Sequence, residues 1–296
     1  MMKRFAGRVA VITGAGSGFG LEVARVAARE GMKLVLVDVQ ADALEKAAAE
    51  FAGSELLVRR VDVSKADQMQ TLADEVFARF GAPHFVFNNA GVGAGGLIWE
   101  NSVADWEWVL GVNLMGVVHG VRLFTPMMLA AAKADPTFEA HIVNTASMAG
   151  LLAPPNMGVY NVSKHGVVAL SETLYQDLAL VTEQVRCSVL CPYFVPTGIA
   201  HSERNRPDAA QQSTRSQKVG AAMIEQAVSH GRLTAADVAE LTFKAMRGQS
   251  FYILTHPQAM GGVQERMKDI LEGRNPSDPF AAVPALGQQL RGALRG

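Results

Sequence analysis

The chain alternates short, nearly all-apolar runs with longer stretches in which apolar residues recur at helical spacing. The short runs, rich in Val, Ile and Leu, predict strands at 9–13, 33–38, 56–62, 85–88, 141–145, 185–191 and 251–254. Helices are predicted between them at 19–30, 41–52, 67–80, 103–132, 159–179 and 235–247. A strand with no polar face must be covered on both sides, and the intervening helices supply that cover. The expected architecture is therefore α/β, a single doubly wound Rossmann domain over 1–296 with a mostly parallel seven-stranded sheet and helices on both faces. The pattern breaks in a polar insertion at 198–231 and in a Pro- and Gly-containing extension at 256–296.

Composition narrows the partners. With 49% hydrophobic and 19% charged residues the chain has the balance of a folded domain, so disorder is excluded. A formal net charge of -1 without a Lys/Arg cluster offers no stripe for a phosphate backbone, and nucleic acid is not an expected partner. Apolar runs are broken by charge or glycine before the roughly 20 residues that span a bilayer, and 1–6 is too short for a signal peptide. A cytoplasmic protein with no membrane partner is expected. Cys187 and Cys191 share one face of a predicted strand, where they cannot easily close a disulfide, and two thiols are too few for a structural zinc site. They are expected as buried spectators, with no metal bound.

The first strand runs into Thr13-Gly14-Ala15-Gly16-Ser17-Gly18-Phe19-Gly20, followed at once by a helix. Glycines there let backbone N–H groups approach a pyrophosphate and put that anion on a helix N-terminus. Asp38, 20 residues after Gly18, ends the second strand, where a carboxylate accepts from both adenosine ribose hydroxyls and repels a 2'-phosphate. Neither Ser17 nor Val39 supplies a cation to offset it, so NAD is expected over NADP. The alternative role for Asp38 is an N-cap of the following helix.

Tyr160 and Lys164 lie one turn apart on a predicted helix. A phenol near its usual pKa of about 10 is a poor base at neutral pH, and an adjacent cation favours the phenolate.

With these motifs in order, the sequence resembles the short-chain dehydrogenase/reductase family, in its compact soluble branch. The resemblance rests on the TGxxxGxG loop at 13–20, Asn88-Asn89-Ala90-Gly91 after the fourth strand, Asn113 in a long helix, Ser147 ending the fifth strand, and Tyr160 with Lys164 as the YxxxK pair. It implies that Tyr160 exchanges a proton with the substrate oxygen while hydride moves to or from nicotinamide, and that Lys164 lowers the phenol pKa and holds the nicotinamide ribose. Ser147 would orient the substrate oxygen, and Asn113 would hold a water linking the lysine to solvent. Gly111 and Gly116 flank Asn113 and weaken the helix there, consistent with a freed carbonyl.

Cofactor contacts are implied for Gly14, Ser17, Gly18, Phe19, Gly20, Asp38, Asp62, Val63, Asn89, Ala90, Gly91, Tyr160, Lys164, Pro192, Val195 and Thr197, with Asp62 and Val63 at adenine. Plainer alternatives stand beside these: Ser147 terminating a strand, Asn113 buried in a helix contact, Asp62 capping the next turn.

The chain departs from the family's usual Pro-Gly after the sixth strand, reading Pro192-Tyr193-Phe194. With the apolar stretch 148–157 these aromatics suggest an apolar or aromatic secondary alcohol or ketone as substrate, unless that stretch packs on the protein itself. The resemblance implies that the insertion at 198–231 covers the substrate, and within it His201, Arg204 and Arg206 are expected on a solvated mobile face, or else against an anionic substrate group. The long extension argues against an acyl-carrier-protein reductase. A homodimer or homotetramer is expected through the helices at 103–132 and bearing Tyr160. Rival readings are a nucleotide-sugar epimerase or dehydratase, and a cofactor-sensing binding protein without turnover.

Overall fold

The computed structural model describes residues 4–207 and 213–295; residues 1–3, 296 and 208–212 of the predicted insertion lie outside the described residues. The strands are β1 (Val9–Thr13), β2 (Lys33–Asp38), β3 (Leu56–Arg60), β4 (Phe85–Asn88), β5 (Ala140–Thr145), β6 (Val185–Cys191) and β7 (Tyr252–Leu254). They form one seven-stranded sheet in the order β3-β2-β1-β4-β5-β6-β7, with every neighbouring pair parallel. The third strand stops at Arg60, short of Asp62, because the Asp62 carboxylate bends the chain into a turn by accepting from Ser64 N–H at 2.9 Å.

Alternation along β1 divides the core. Ala10 and Ile12 face α1 (Gly18–Arg29) and α8 (Ala235–Gly248), where Val23, Phe243 and Met246 meet Leu34, Leu36, Phe85 and Phe87. Val9 and Val11 face α3 (Ala66–Phe80), α5 (Gly116–Ala134) and α6 (Gly158–Val181), with Leu72, Val76, Phe124, Met128 and Leu174 packed on Val35, Val86 and Ile142. Burial of each such Leu or Phe contributes about 1.5–3 kcal/mol before entropy is counted. A further helix, α2 (Ala41–Ala49), lies along β2 and β3.

The helix expected without interruption over 103–132 is broken. It runs as α4 (Val103–Leu110), a π-helical turn (Gly111–Met115) and α5, with Asn113 inside the widened turn. By length and composition Val103–Ala134 passes for a membrane span, contrary to the expectation of interrupted runs, but here Val109, Val117, Phe124 and Met128 are buried within the protein.

The insertion is not merely polar loop. A 3-10 segment (Gly198–Asn205) precedes α7 (Arg215–Ser229), whose start is fixed by a capping box between Thr214 and Gln217. The extension likewise forms α9 (Met260–Leu271) and α10 (Pro284–Arg295), the latter packed on α7.

Candidate active site

Because β1 has β2 on one side and β4 on the other, successive connections leave the sheet in opposite directions and open a crevice at the strands' carboxyl ends. The glycine loop enters this crevice from β1. Gly14 and Gly18 have φ of 67° and 53°, and a Cβ on Gly20 would lie 2.0 Å from the Gly14 carbonyl oxygen, so the loop closes on itself only without side chains. Ser17 is the N-cap of α1, yet its side chain makes no capping bond, which leaves the first-turn N–H groups available to an anion. The loop and its uncapped helix start fit a dinucleotide pyrophosphate.

Asp38 is half-buried at the end of β2. One carboxylate oxygen accepts from Gly16 N–H at 2.9 Å and the other from Gln40 N–H at 3.0 Å, so backbone donors fix its orientation. The N-cap of the following helix is Gln40 and not Asp38, so the helix-capping alternative for this residue is not met. The sheet register sets Arg60 opposite Asp38, a neighbour that inspection of positions 17 and 39 could not find; its guanidinium donates to the Val39 carbonyl at 3.0 Å.

On the other side of β1, Thr13 organises the loop after β4. Its hydroxyl accepts from Asn89 N–H at 2.8 Å and Ala90 N–H at 3.0 Å, while the Asn89 side-chain amide donates to the Thr13 carbonyl at 3.0 Å. Thr13 was absent from the expected site residues, although the TG pair of the loop motif pointed to it. Gly91 follows within van der Waals reach of the acid-base groups: a Cβ there would lie 3.4 Å from Asn113 Oδ1 and 3.6 Å from Lys164 Nζ.

Ser147, Tyr160 and Lys164 meet where β5 ends and α6 begins. The Ser147 hydroxyl donates to the Pro192 carbonyl at 3.3 Å, accepts from Ala149 N–H at 3.1 Å, and hydrogen-bonds the Tyr160 side chain. Lys164 is buried, donates to the Thr145 carbonyl at 2.9 Å, and has its ammonium 5.7 Å from the Tyr160 ring centroid. Burial pushes the Tyr160 phenol up to about 12, against the lowering effect of the Ser147 hydrogen bond, and brings Lys164 down to about 8. Desolvation thus favours the neutral form of both groups.

Asn113 is fully buried. Its oxygen accepts from Val92 N–H at 2.8 Å, and its amide donates to the Val92 carbonyl at 3.0 Å and Ser163 Oγ at 3.1 Å. Its side chain is thus a clip on the loop after β4, the buried-contact alternative, while the π-helical turn around it gives structural form to the weakened helix expected between the two glycines.

The remaining expected residues divide between crevice and core. Asp62 Oδ1 accepts from both the N–H and hydroxyl of Ser64, the turn-capping alternative, and the Val63 side chain is buried in the core. Pro192 and Val195 are buried, and Thr197 lies against Gly18, where a Cβ would meet it at 3.4 Å. Tyr193 stands 43% exposed, with its ring 4.3 Å from Phe194 and 5.8 Å from His256 between centroids. Both cysteines are free and buried, and burial pushes their thiols up to about 12.

A family model described as short chain dehydrogenase matches residues 8–208, more than half of the chain. The chain belongs to the short-chain dehydrogenase family. Within that family it is similar to a short-chain dehydrogenase/reductase from Burkholderia phymatum solved in complex with NAD, at 54% identity and a TM-score of 0.90, covering 95% of this chain and 100% of that one. It is 34% identical over 284 residues to the CLA biosynthesis dehydrogenase/reductase of Lactiplantibacillus plantarum, covering 93% and 97% of the two chains. It is 32% identical over 200 residues to the cyclohexanol dehydrogenase of an Acinetobacter strain, covering 67% and 76%. The protein is accordingly an oxidoreductase of a family that binds nicotinamide cofactors.

One expectation for this short-chain dehydrogenase fails in the insertion. Arg206 is not on a solvated face: its side chain is 7% exposed, ion-paired with Asp105 at 6% exposed, and its guanidinium lies 5.7 Å from the Trp108 ring centroid. Arg204 folds back onto the carbonyls of Gly198 and His201, and His201 is exposed. Asp105 lies 101 positions away, so no local pattern marks it as the partner of Arg206.

Proposed function

We propose that the protein uses NAD to interconvert a secondary alcohol and its ketone, with an apolar or cyclic body on the substrate. The observation that carries this reading is the meeting of Ser147, Tyr160 and Lys164 beside the glycine-loop crevice. Gly14, Ser17, Gly18, Phe19 and Gly20 would hold the pyrophosphate, Asp38 the adenosine ribose, Asp62 and Val63 the adenine side, and Asn89, Ala90, Gly91, Pro192, Val195 and Thr197 the nicotinamide half. When bound, the cofactor supplies or takes the hydride. Tyr160 gives its phenolic proton to the carbonyl oxygen in reduction and takes the hydroxyl proton in oxidation. Ser147, through its hydrogen bond to that phenol, fixes the substrate oxygen between the two hydroxyls. Lys164, anchored on Thr145, holds the nicotinamide ribose, and Asn113 keeps the adjoining loop and helix in register.

The carboxylate of Asp38 supports NAD over NADP, and the NAD complex of the Burkholderia relative agrees with that choice. For the substrate, support comes from Leu152, Tyr193 and Phe194 near the mouth, with α9 brought against Leu152 at Gly262, and from cyclohexanol as the named substrate of one relative. Tyr160→Phe, assayed as NADH formation at 340 nm with a panel of secondary alcohols, is expected to lower turnover at least about 100-fold with NAD affinity nearly unchanged. Retention of more than about a tenth of the wild-type rate, a loss under about 1.4 kcal/mol, would remove Tyr160 from this role.

A further inference from the structure

Two separate parts of the insertion converge on one buried carboxylate. Arg206, just after the 3-10 segment, pairs with Asp105 Oδ1, and Gln217, in the first turn of α7, donates from Nε2 to Asp105 Oδ2 at 3.1 Å. That same Oδ2 accepts from Ser102 N–H and the Ser102 hydroxyl, both at 2.8 Å, in the capping box that starts α4. Asp105 therefore joins the insertion to the helix that leads into the Asn113 turn. Around this junction the insertion lies directly on the loop after β4. Ser202 Oγ accepts from Gly93 N–H at 2.8 Å, and a Cβ on Gly95 would lie 2.9 Å from Gly220 Cα, a backbone approach that only glycine permits.

We infer that Asp105 is a positioning residue for substrate selection, which through Arg206 and Gln217 sets where the insertion's Ile199 and Ser202 stand against Gly93, in the loop after β4 that borders the catalytic crevice. The physical basis is the cost of separating a buried ion pair. Opening the Arg206 arm forfeits this buried pair, for which the exposed Glu203 carboxylate at 3.4 Å is a weaker substitute, and opening the Gln217 arm costs a second bond to the same carboxylate, so the insertion is held in one register. The Thr197–Asn205 stretch follows Val195 in sequence with few intervening residues, so a shift at Arg206 is transmitted toward the crevice. Asp105 acts on the reaction through these segments and touches none of the reacting groups.

This inference rests on the dehydrogenase reading for its kinetic consequence and on the structure alone for its mechanical one, and the test separates the two. Hydrogen exchange read by mass spectrometry is compared for the wild-type full chain, Arg206→Met, Arg206→Lys and Asp105→Asn; the last keeps an acceptor for the Ser102 cap but loses the charge. Exchange of the 199–206 amides is expected to rise about tenfold in Arg206→Met and Asp105→Asn, and less in Arg206→Lys, with β1 and α6 unchanged. If a pair-breaking variant fails to fold, Gln217→Glu serves instead: it keeps an acceptor for Thr214 N–H yet sets a second carboxylate against Asp105, and should raise exchange at the start of α7. With the best-turned-over alcohol of the panel, KM should rise about fivefold while kcat stays within about twofold. Unchanged exchange at 199–206, or a fall in kcat with no change in KM, would overturn the inference. Absence of turnover by the wild type would instead count against the dehydrogenase reading and leave the exchange result to decide the mechanical claim.

Discussion

Removing the Asn113 side chain tests whether the π-helical turn is a structural clip for the site. In Asn113→Ala three hydrogen bonds disappear at once: those with the N–H and carbonyl of Val92, and that with Ser163 Oγ. Ser163 still donates to the Tyr160 carbonyl at 2.7 Å and so keeps a partner. The Val92 N–H and carbonyl, on a residue only 3% exposed, are left in a buried pocket. At about 1–3 kcal/mol for each of these two orphaned groups the expected loss is about 2–6 kcal/mol, with the small cavity adding to it. Urea unfolding followed by circular dichroism measures this as a fall in midpoint at constant m-value, where unfolding is two-state. Because Val92 follows Gly91, whose Cα faces Lys164, the variant should also lose cofactor affinity in a binding titration with NAD. A loss of less than about 1 kcal/mol would mean that Val92 finds other partners at little cost and that the clip does not hold the loop.

Four further outcomes are expected. Ser147→Ala removes the hydrogen bond that lowers the phenol pKa, so the rise of alcohol oxidation with pH should move to higher pH; a shift to lower pH would reverse the assigned sign. Asp38→Ala should narrow the preference for NAD over NADP, read as the ratio of kcat/KM values, whereas equal wild-type efficiency with both would show that Asp38 does not face the ribose. Burial lowers His141 from 6.5 to about 3 and His84 from 6.5 to about 4. Since the unfolded chain then binds protons first, stability is full above about pH 6.5 and falls as pH drops from there toward 4 and 3, each histidine adding at most about 1.4 kcal/mol per pH unit; thermal melts across this range would refute it by a flat Tm. Finally, Val162, Tyr175, Leu180 and Val181 are exposed on or near α6, so a homodimer or homotetramer is expected, and a monomer by light scattering at micromolar concentration would reject it.

Most of the fold was present in the sequence because its controlling patterns are local. All-apolar strands joined by helical stretches require a parallel sheet covered on both faces, and the observed strands begin and end within one or two residues of the expected limits. The glycine loop, Asp38 and the Ser147, Tyr160 and Lys164 constellation were legible for a similar reason, since fixed spacings on regular elements bring them to the same end of the sheet. Tertiary structure decided what depends on distant neighbours and on water. Spacing set Lys164 one helical turn from Tyr160, but only enclosure by the fold imposes the desolvation that drives both toward their neutral forms. In the same way Arg206 reads as a surface charge until the fold sets Asp105 and Trp108 around it, and the uninterrupted helix of the hydrophobic pattern becomes a π-helical turn where Asn113 reaches Val92. Periodicity records which face of an element is apolar; pairing across the chain and exclusion of solvent exist only once the elements have packed.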